Sequence, residues 1–306
     1  MSVKPLFSVV IPTYNHAHLI RRCLDSVLSQ SFTDWEAIII NNFSKDNTIE
    51  IVDSYNDPRI RLINYTNNGV IAVSRNKGIK EAQGDWICFL DSDDSWYYNK
   101  LEVCKKFIND FDLIYHSLLT NYGEEKSNEV MLLRSLDHDV FRDLMLNGNP
   151  IPNSSVCIRK ELLLDLGGLS EDRSLIAVED FDLWIRASLQ NCRFKFIPSV
   201  LGEYWAGGGN ISSSGLIRMD RAMIVYNQYL KHLLPADIRR HKAITAYRYG
   251  ITLHKENKKK AVKKYKEAFF YGNLVIKIQV ICRLLFGLNP VKFWKKVYTP
   301  LIYSLV

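Results

Sequence analysis

Over the first hundred positions, apolar residues come in short unbroken runs, separated by polar stretches with helical spacing. Phe7–Ile11, Ala37–Ile40, Ile60–Ile63 and Trp86–Leu90 read as strands. Leu19, Ile20, Cys23, Leu24, Val27 and Leu28 recur at the spacing of one helix face. Ile49–Tyr55 predicts a second helix capped by Ser44 or Asp46, and Val70–Ala82 a third that ends at Gly84. Strands this apolar, alternating with helices, predict an α/β fold with a mostly parallel sheet covered on both faces. From Phe107 to about Asn210 the pattern is less regular. Leu113–His116, Ser155–Ile158 and Phe194–Ile197 read as strands, and Asp180–Gln190 as a helix. Beyond residue 230 the chain reads as helical, with Ala243–His254 and Lys258–Tyr271 forming a hairpin that turns at Glu256-Asn257.

In such sheets ligands bind beyond the carboxyl ends of the strands. Three polar clusters follow strands there: Pro12-Thr13-Tyr14-Asn15, Asn41-Asn42-Phe43-Ser44 and Asp91-Ser92-Asp93-Asp94. Two carboxylates one residue apart on a turn suit magnesium or manganese, with substrate phosphates completing the shell. An acidic turn in which Asp94 caps a helix near Tyr97 is the plainer alternative. Glu179-Asp180 opens a second acidic site at a helix start, where a carboxylate serves either as a cap or as a base. His16 and His18 lack a third ligand and read as exposed residues at a helix start.

The chain has 306 residues, about two domains' worth, with 47% hydrophobic and 24% charged positions, which excludes disordered and fibrous classes. The net charge of +7 is uneven. Residues 231–306 hold 17 Lys+Arg against 3 Asp+Glu, while the first 230 hold 23 against 30. The expected organisation is therefore a domain over 1–230 and a basic helical region over 231–306. The six cysteines are scattered through apolar runs, with no paired spacing that suggests zinc or redox chemistry, and read as reduced thiols in a cytoplasmic protein. Pro12 interrupts the first apolar run too early for a secretory signal. The longest apolar tract, Leu274–Leu288, is broken by Lys277 and Arg283 and is too short to span a bilayer. Lysines at 255, 258–260, 263, 264 and 266, interleaved with Tyr265, Phe269, Phe270 and Tyr271, suit an anionic membrane surface or a solvated helical face. No motif for nucleic acid accompanies the charge.

Taken together, five stretches resemble family 2 glycosyltransferases of the GT-A fold. They are Ser8–Asn15, Cys23–Phe32, Asn68-Gly69-Val70 with Ser74–Ile79, Phe89–Trp96, and Glu179–Trp184, in that order along the chain. The resemblance covers roughly residues 6–210. It implies a nucleotide-binding part over about 1–110 and an acceptor part over about 111–230.

Residue by residue, the resemblance places Pro12, Thr13 and Tyr14 at the nucleotide, with Tyr14 against the base. It places Asp91 and Ser92 toward the ribose and phosphates, Asp93 with Asp91 at a Mn2+ or Mg2+ ion, and Asp180 as the catalytic base. Arg75 and Asn76 would shape the phosphate pocket, and Glu179, Asn153 and Ser154 would face the acceptor. The family usually has two aspartates where this chain has Asn41-Asn42; Asn42 can still accept from and donate to a uracil edge, and can equally donate to a cytosine ring nitrogen or meet thymine. The implied activity is inverting transfer of one sugar from a nucleotide-diphosphate sugar, most simply a UDP-sugar, to a lipid-linked or oligosaccharide acceptor in surface polysaccharide synthesis. The Gln-x-x-Arg-Trp motif of processive synthases is absent. The expected location is cytoplasmic, with the basic region on the inner face of the plasma membrane. Gly207-Gly208-Gly209 reads as a loop closing over substrate. A nucleotidyltransferase would need a glycine-rich loop after the first strand, which is missing. A non-catalytic protein that binds sugar nucleotides is the remaining alternative.

Overall fold

The computed structural model describes residues 4–123, 127–131, 133–207, 215–254 and 256–286. Gly208, Gly209, Lys255 and the segment with Trp294 lie outside them. Two compact units divide the chain between Ser213 and Ser214. Charge alone sets the division at 230. The structure sets it earlier because Gly215–Tyr229 is a helix that groups with the basic ones: Asp220 accepts from Tyr249, and the Tyr226 ring meets His241 edge-on at 4.6 Å.

In the first unit the elements run β1 Phe7–Thr13, α1 Ile20–Leu28, β2 Trp35–Asn41, α2 Thr48–Asp53, β3 Ile60–Asn64, α3 Ile71–Glu81 and β4 Trp86–Phe89. There follow β5 Ser95–Trp96, α4 Lys100–Lys105, β6 Leu113–Asn121, β7 Glu129–Val130, α5 Val140–Asn147, β8 Cys157–Arg159, α6 Lys160–Asp165, α7 Glu179–Leu189 and β9 Phe194–Trp205. The described strands form one sheet in the order β3-β2-β1-β4-β8-β6-β9-β5, with β7 on β6. The β3-β2-β1-β4 half is parallel, as the unbroken apolar runs predict, and every residue of β1, β2 and β4 is buried. The other half is mixed. β8 is antiparallel to both β4 and β6, β6 and β9 run parallel, and β5 is antiparallel to β9.

β9 extends to Trp205, well past the predicted end at Ile197. Pro198 ends the readable pattern, because proline gives no ladder hydrogen bond. The structure absorbs it where the register with β6 shifts: His116 pairs with Ile197, and Ser117 with Val200. All six cysteines are free thiols, and five are buried.

The second unit contains α8 Gly215–Tyr229, α9 Pro235–Leu253, α10 Lys258–Tyr271 and α11 Leu274–Phe286. Ala243, Ala246 and Tyr247 of α9 join Ala261, Tyr265 and Ala268 of α10 in one core. Asn257 caps α10 by accepting from the Lys260 N–H at 3.0 Å, so the hairpin turns where the sequence suggests. No helix among the described residues is long and apolar enough to cross a membrane.

Helix α3 lies directly on β1, because position 78 has no side chain. A Cβ there would meet Val10 Cγ1 at 2.4 Å, and Val10 is fully buried with no room to retreat. Gly78→Ala is expected to lower stability by about 1–3 kcal/mol, measured by chemical denaturation. An unchanged midpoint would show that α3 is free to lift from the sheet.

Candidate active site

Strand β1 is the switch point of the parallel half: β2 and β3 lie on one side and β4 on the other. The loops after β1 and β4 therefore open on the same crevice. Thr13 closes β1, with its Oγ1 buried and without a partner among the described residues, and Tyr14 beyond it is 46% exposed. Side-chain clamps hold the loops after β1 and β2 together. Asn15 N donates to Ser44 Oγ at 2.8 Å, Lys45 N to Asn15 Oδ1 at 2.7 Å, and Ala17 N to Asp46 at 3.0 Å. Asn41 is fully buried. Its Oδ1 accepts from Ser44, and its amide nitrogen donates to Asn64 Oδ1 at 2.7 Å. Asn42 Oδ1 accepts from the Asn67 N–H at 3.0 Å.

The acidic sequence after β4 forms a turn in which Asp94 N donates to Asp91 O. Ser154 holds it from below, its Oγ accepting from Asp91 N at 3.1 Å while its carbonyl accepts from the Trp96 indole at 2.8 Å. Asp94 is buried and does not cap a helix. It accepts from Trp205 N at 2.8 Å, tying the end of β9 to the turn. Ser92 Oγ is bonded to His16 Nδ1 at 2.7 Å. Arg22 donates to the Asp93 carbonyl and packs over the Trp205 ring. Burial first, and then the charge of Asp91, push the Asp93 carboxyl up to about 6.

Arg75 links this turn to α7. Its guanidinium is almost wholly buried, and it pairs with Asp91 at 2.6 Å and with Glu179 at 2.5 Å. With its amide oxygen turned to Arg75, Asn153 accepts from Nε and Nη2 at 3.3 Å. Burial opposes the guanidinium's charge, but Asp91 and Glu179 outweigh it and hold the group protonated. Asp180, next along α7, is partly exposed and accepts from Asn149 at 3.5 Å and from Phe181 N at 2.6 Å. Burial and the charge of Glu179 push its carboxyl up to about 7, against the pull of Arg75.

The structure thus gathers Arg75, Asp91, Asn153, Ser154 and Glu179 in one bonded group, with Asp93 and Asp180 in its electrostatic reach. Asn76 is elsewhere. Its oxygen accepts from Leu169 N, its nitrogen donates to Leu169 O and Glu171, and it packs against Gly168 (φ +75°), so it has no group left for a phosphate. Ser92 and Ser154 likewise spend their hydroxyls on the fold. His16 and Arg22 are additions the sequence pattern does not offer. His16 is half-buried against Ser92 instead of exposed, and Arg22 is a helix residue with no motif around it. No group of three or more metal-ligating side chains occurs among the described residues. Asp91 and Asp93 nevertheless fit a hard cation shared with a diphosphate, since magnesium-type ions take one or two carboxylates and fill the rest with phosphate and water. Burial and the charge of Asp91 both disfavour an ionised Asp93, and such an ion would offset both.

Arg75→Ala is expected to cost about 3–5 kcal/mol in chemical denaturation, because it strands the buried Glu179 and leaves the half-buried Asp91 without its partner. Arg75→Lys should recover only part of this, since one ammonium cannot hold both partners at the same distances. Full stability in the alanine variant would remove Arg75 from its central place.

The family model described as glycosyl transferase family 2 matches residues 8–159. Amylovoran biosynthesis glycosyltransferase AmsB of Erwinia amylovora is 30% identical over 210 residues, 65% of this chain and 69% of that protein. UDP-Glc:alpha-D-GlcNAc-diphosphoundecaprenol beta-1,3-glucosyltransferase WfgD of Escherichia coli is 27% identical over 237 residues, 75% and 88% of the two chains. The mannosyltransferase PcManGT of Pyrobaculum calidifontis, solved with GDP-Man and Mn2+, superposes with a TM-score of 0.63 at 17% identity, covering 98% of this chain and 86% of that one. TarS 1–349 of S. aureus with UDP-GlcNAc gives 0.62 at 20% identity, covering 89% and 83%. With the GT-A architecture and the matched stretches in place, the chain belongs to glycosyl transferase family 2 and is a glycosyltransferase.

Proposed function

We propose that the protein transfers a single sugar, with inversion, from a UDP-sugar to a hydroxyl of a lipid-linked or oligosaccharide acceptor in surface polysaccharide synthesis. The observation that carries this reading is the bridge through Arg75, which sets the acidic turn and the Asp180 helix on one crevice. Residues up to about 110 hold the donor, and the rest of the first unit faces the acceptor. Thr13 and Tyr14 line the nucleotide, and Asn42 meets the edge of the base. Asp93 and Asp91 hold Mn2+ or Mg2+, which when bound offsets the charge that develops on the departing diphosphate.

Asp180 takes the proton from the acceptor hydroxyl. A carboxylate with a pKa near 7 is a stronger base than an ordinary one and is still ionised at neutral pH or just above. With one base and a leaving group on the opposite face of the sugar carbon, direct displacement inverts that centre. Support for a UDP-sugar and a diphospholipid acceptor comes from the WfgD likeness, and for a cation from the PcManGT likeness. The basic second unit would meet the anionic surface that carries the acceptor. Phe270, Leu274, Val275 and Ile278 are exposed in this unit, as are Lys258, Lys259, Lys260 and Lys263.

Asp180→Asn is expected to lower kcat at least a hundredfold. Wild-type kcat/KM should fall as pH drops below about 7, where the base is protonated. In the unfolded chain this carboxyl ionises near 3.9, so keeping it ionised in the fold costs stability, and the cost grows as pH rises toward the folded pKa. The asparagine variant should therefore melt at a higher temperature, with a larger gain at pH 8 than at pH 5. Asp93→Ala should cut turnover at least tenfold and raise the Mn2+ concentration needed for half-maximal rate. Near-normal turnover in both variants would defeat the assignment.

For the second unit, the full chain should co-sediment with vesicles containing anionic lipid and not with purely zwitterionic ones. At about 1 kcal/mol per basic residue, Lys259→Glu with Lys263→Glu should weaken that partitioning more than tenfold. Equal sedimentation of variant and wild type would rule out the surface role.

A further inference from the structure

Phe43, two residues beyond β2, has no part in the chemistry above, yet its conformation is costly. It has φ +53°, a left-handed backbone that glycine adopts freely and a bulky side chain adopts only under strain. Packing does not offset the strain, because the residue is 55% exposed. The chain on either side leaves no other choice. Asn41 Oδ1 holds both the N–H and the hydroxyl of Ser44, Ser44 Oγ accepts from Asn15 N, and Asn42 is tied at both its backbone N–H and its side-chain oxygen. Strain of this kind persists where the surroundings over-determine it, and it concentrates at binding sites.

The position adds direction. β1 and β2 pair in register from Phe7–Trp35 to Thr13–Asn41, and Asn42 N donates to Thr13 O at 3.0 Å. Tyr14 and Phe43 therefore leave neighbouring strands at one edge of the sheet, both aromatic and both largely in solvent. Exposed aromatic residues brought to a nucleotide-binding edge are suited to a flat partner, since every nucleobase offers a π-face for stacking.

We propose that Phe43 is a stacking platform for the nucleobase of the donor, a second aromatic surface beside Tyr14, and that the strained backbone is what holds its ring at the edge. The inference rests on the nucleotide-sugar reading of this crevice. It assigns affinity to the faces of the base and leaves the choice of base to groups at its edge such as Asn42.

The test is titration calorimetry in Mn2+ with UDP, GDP, CDP and dTDP. Whichever nucleotide binds wild type is then taken to Phe43→Gly, Phe43→Leu and Phe43→Trp. Phe43→Gly should weaken the Kd roughly tenfold while Tm stays equal or rises, since glycine suits the positive φ. Phe43→Leu should weaken binding similarly, and Phe43→Trp should stay within about twofold of wild type on the same stacking argument. Wild-type affinity in Phe43→Gly, or equal affinity in the leucine and tryptophan variants, overturns the proposal. So does a loss seen only with the nucleotide sugar or in the acceptor KM, or a clear fall in Tm for Phe43→Gly. If wild type binds none of the four nucleotides, the donor reading fails as well. If wild type binds and Phe43→Gly is unaffected, only the Phe43 assignment fails.

Discussion

A buried guanidinium that pairs with two carboxylates is the constraint on which the site depends. Arg75 comes from α3, Asp91 from the end of β4, sixteen positions on, and Glu179 from the start of α7, 104 positions on. A cation taken out of water must keep its anions, so none of the three elements can drift without stranding charge in the interior. The same bridge explains the chemistry of its neighbours. Arg75 pairs with Asp91 and Glu179 but not with Asp93 or Asp180, and in these two burial first, and then the charge of Asp91 or Glu179, disfavours the ionised form. Their carboxyls are pushed up, to about 6 for Asp93 and about 7 for Asp180. The contact that assembles the crevice therefore leaves four carboxylates, Asp91, Asp93, Glu179 and Asp180, around a single guanidinium.

Much of this was legible in the residue pattern, for identifiable reasons. β1, β2 and β4 are buried on both faces, so their apolar runs are unbroken and hard to misread. A carboxylate cluster just past such a strand draws the eye to Asp91 and Asp93, while the third member, Asp94, turns out to be a buried tie to Trp205 N. The less legible parts share a different trait: their roles depend on partners distant in the chain. β9 hides behind Pro198, where a register shift rescues the pairing. Asn76 sits in a motif but faces Leu169 and Glu171, a segment that only the folded chain brings near. His16 looks like a solvent histidine until Ser92, 76 residues away, meets its ring.

Below the acidic turn the interior has an arrangement that no pattern announces. Lys100 is fully buried, with its ammonium 2.9 Å from Cys157 Sγ and 3.6 Å from the centre of the Trp96 ring. Trp96 in turn holds the Ser154 carbonyl, so the support under Asp91 reaches down to a thiol that faces Cys88 across the β4–β8 pair. Burial opposes ionisation of Cys157. Hydrogen bonds from Cys104 and Cys88, together with the lysine, reverse the balance and hold its pKa well below that of an ordinary thiol. Cysteines that read as plain core residues thus surround the ammonium of a lysine that would otherwise be costly to bury.

The neutral pair Asn41-Asn42 can be understood in the same electrostatic terms. Asn41 is locked by the fold. Its amide nitrogen donates to Asn64 Oδ1 while its oxygen accepts from Ser44. An aspartate there would keep the acceptor for Ser44 but lose the donor to Asn64, which would have to turn its own amide nitrogen inward to meet it. Asn42 keeps the acceptor that matters to the backbone, the oxygen on Asn67 N–H, which a carboxylate would supply equally well. What the amides change is charge: positions 41 and 42 carry none, so the charge on this loop is left to Lys45 and Asp46, which follow them. On the proposed reading, a nucleotide arriving as a diphosphate would meet less repulsion at its base end than two aspartates would impose.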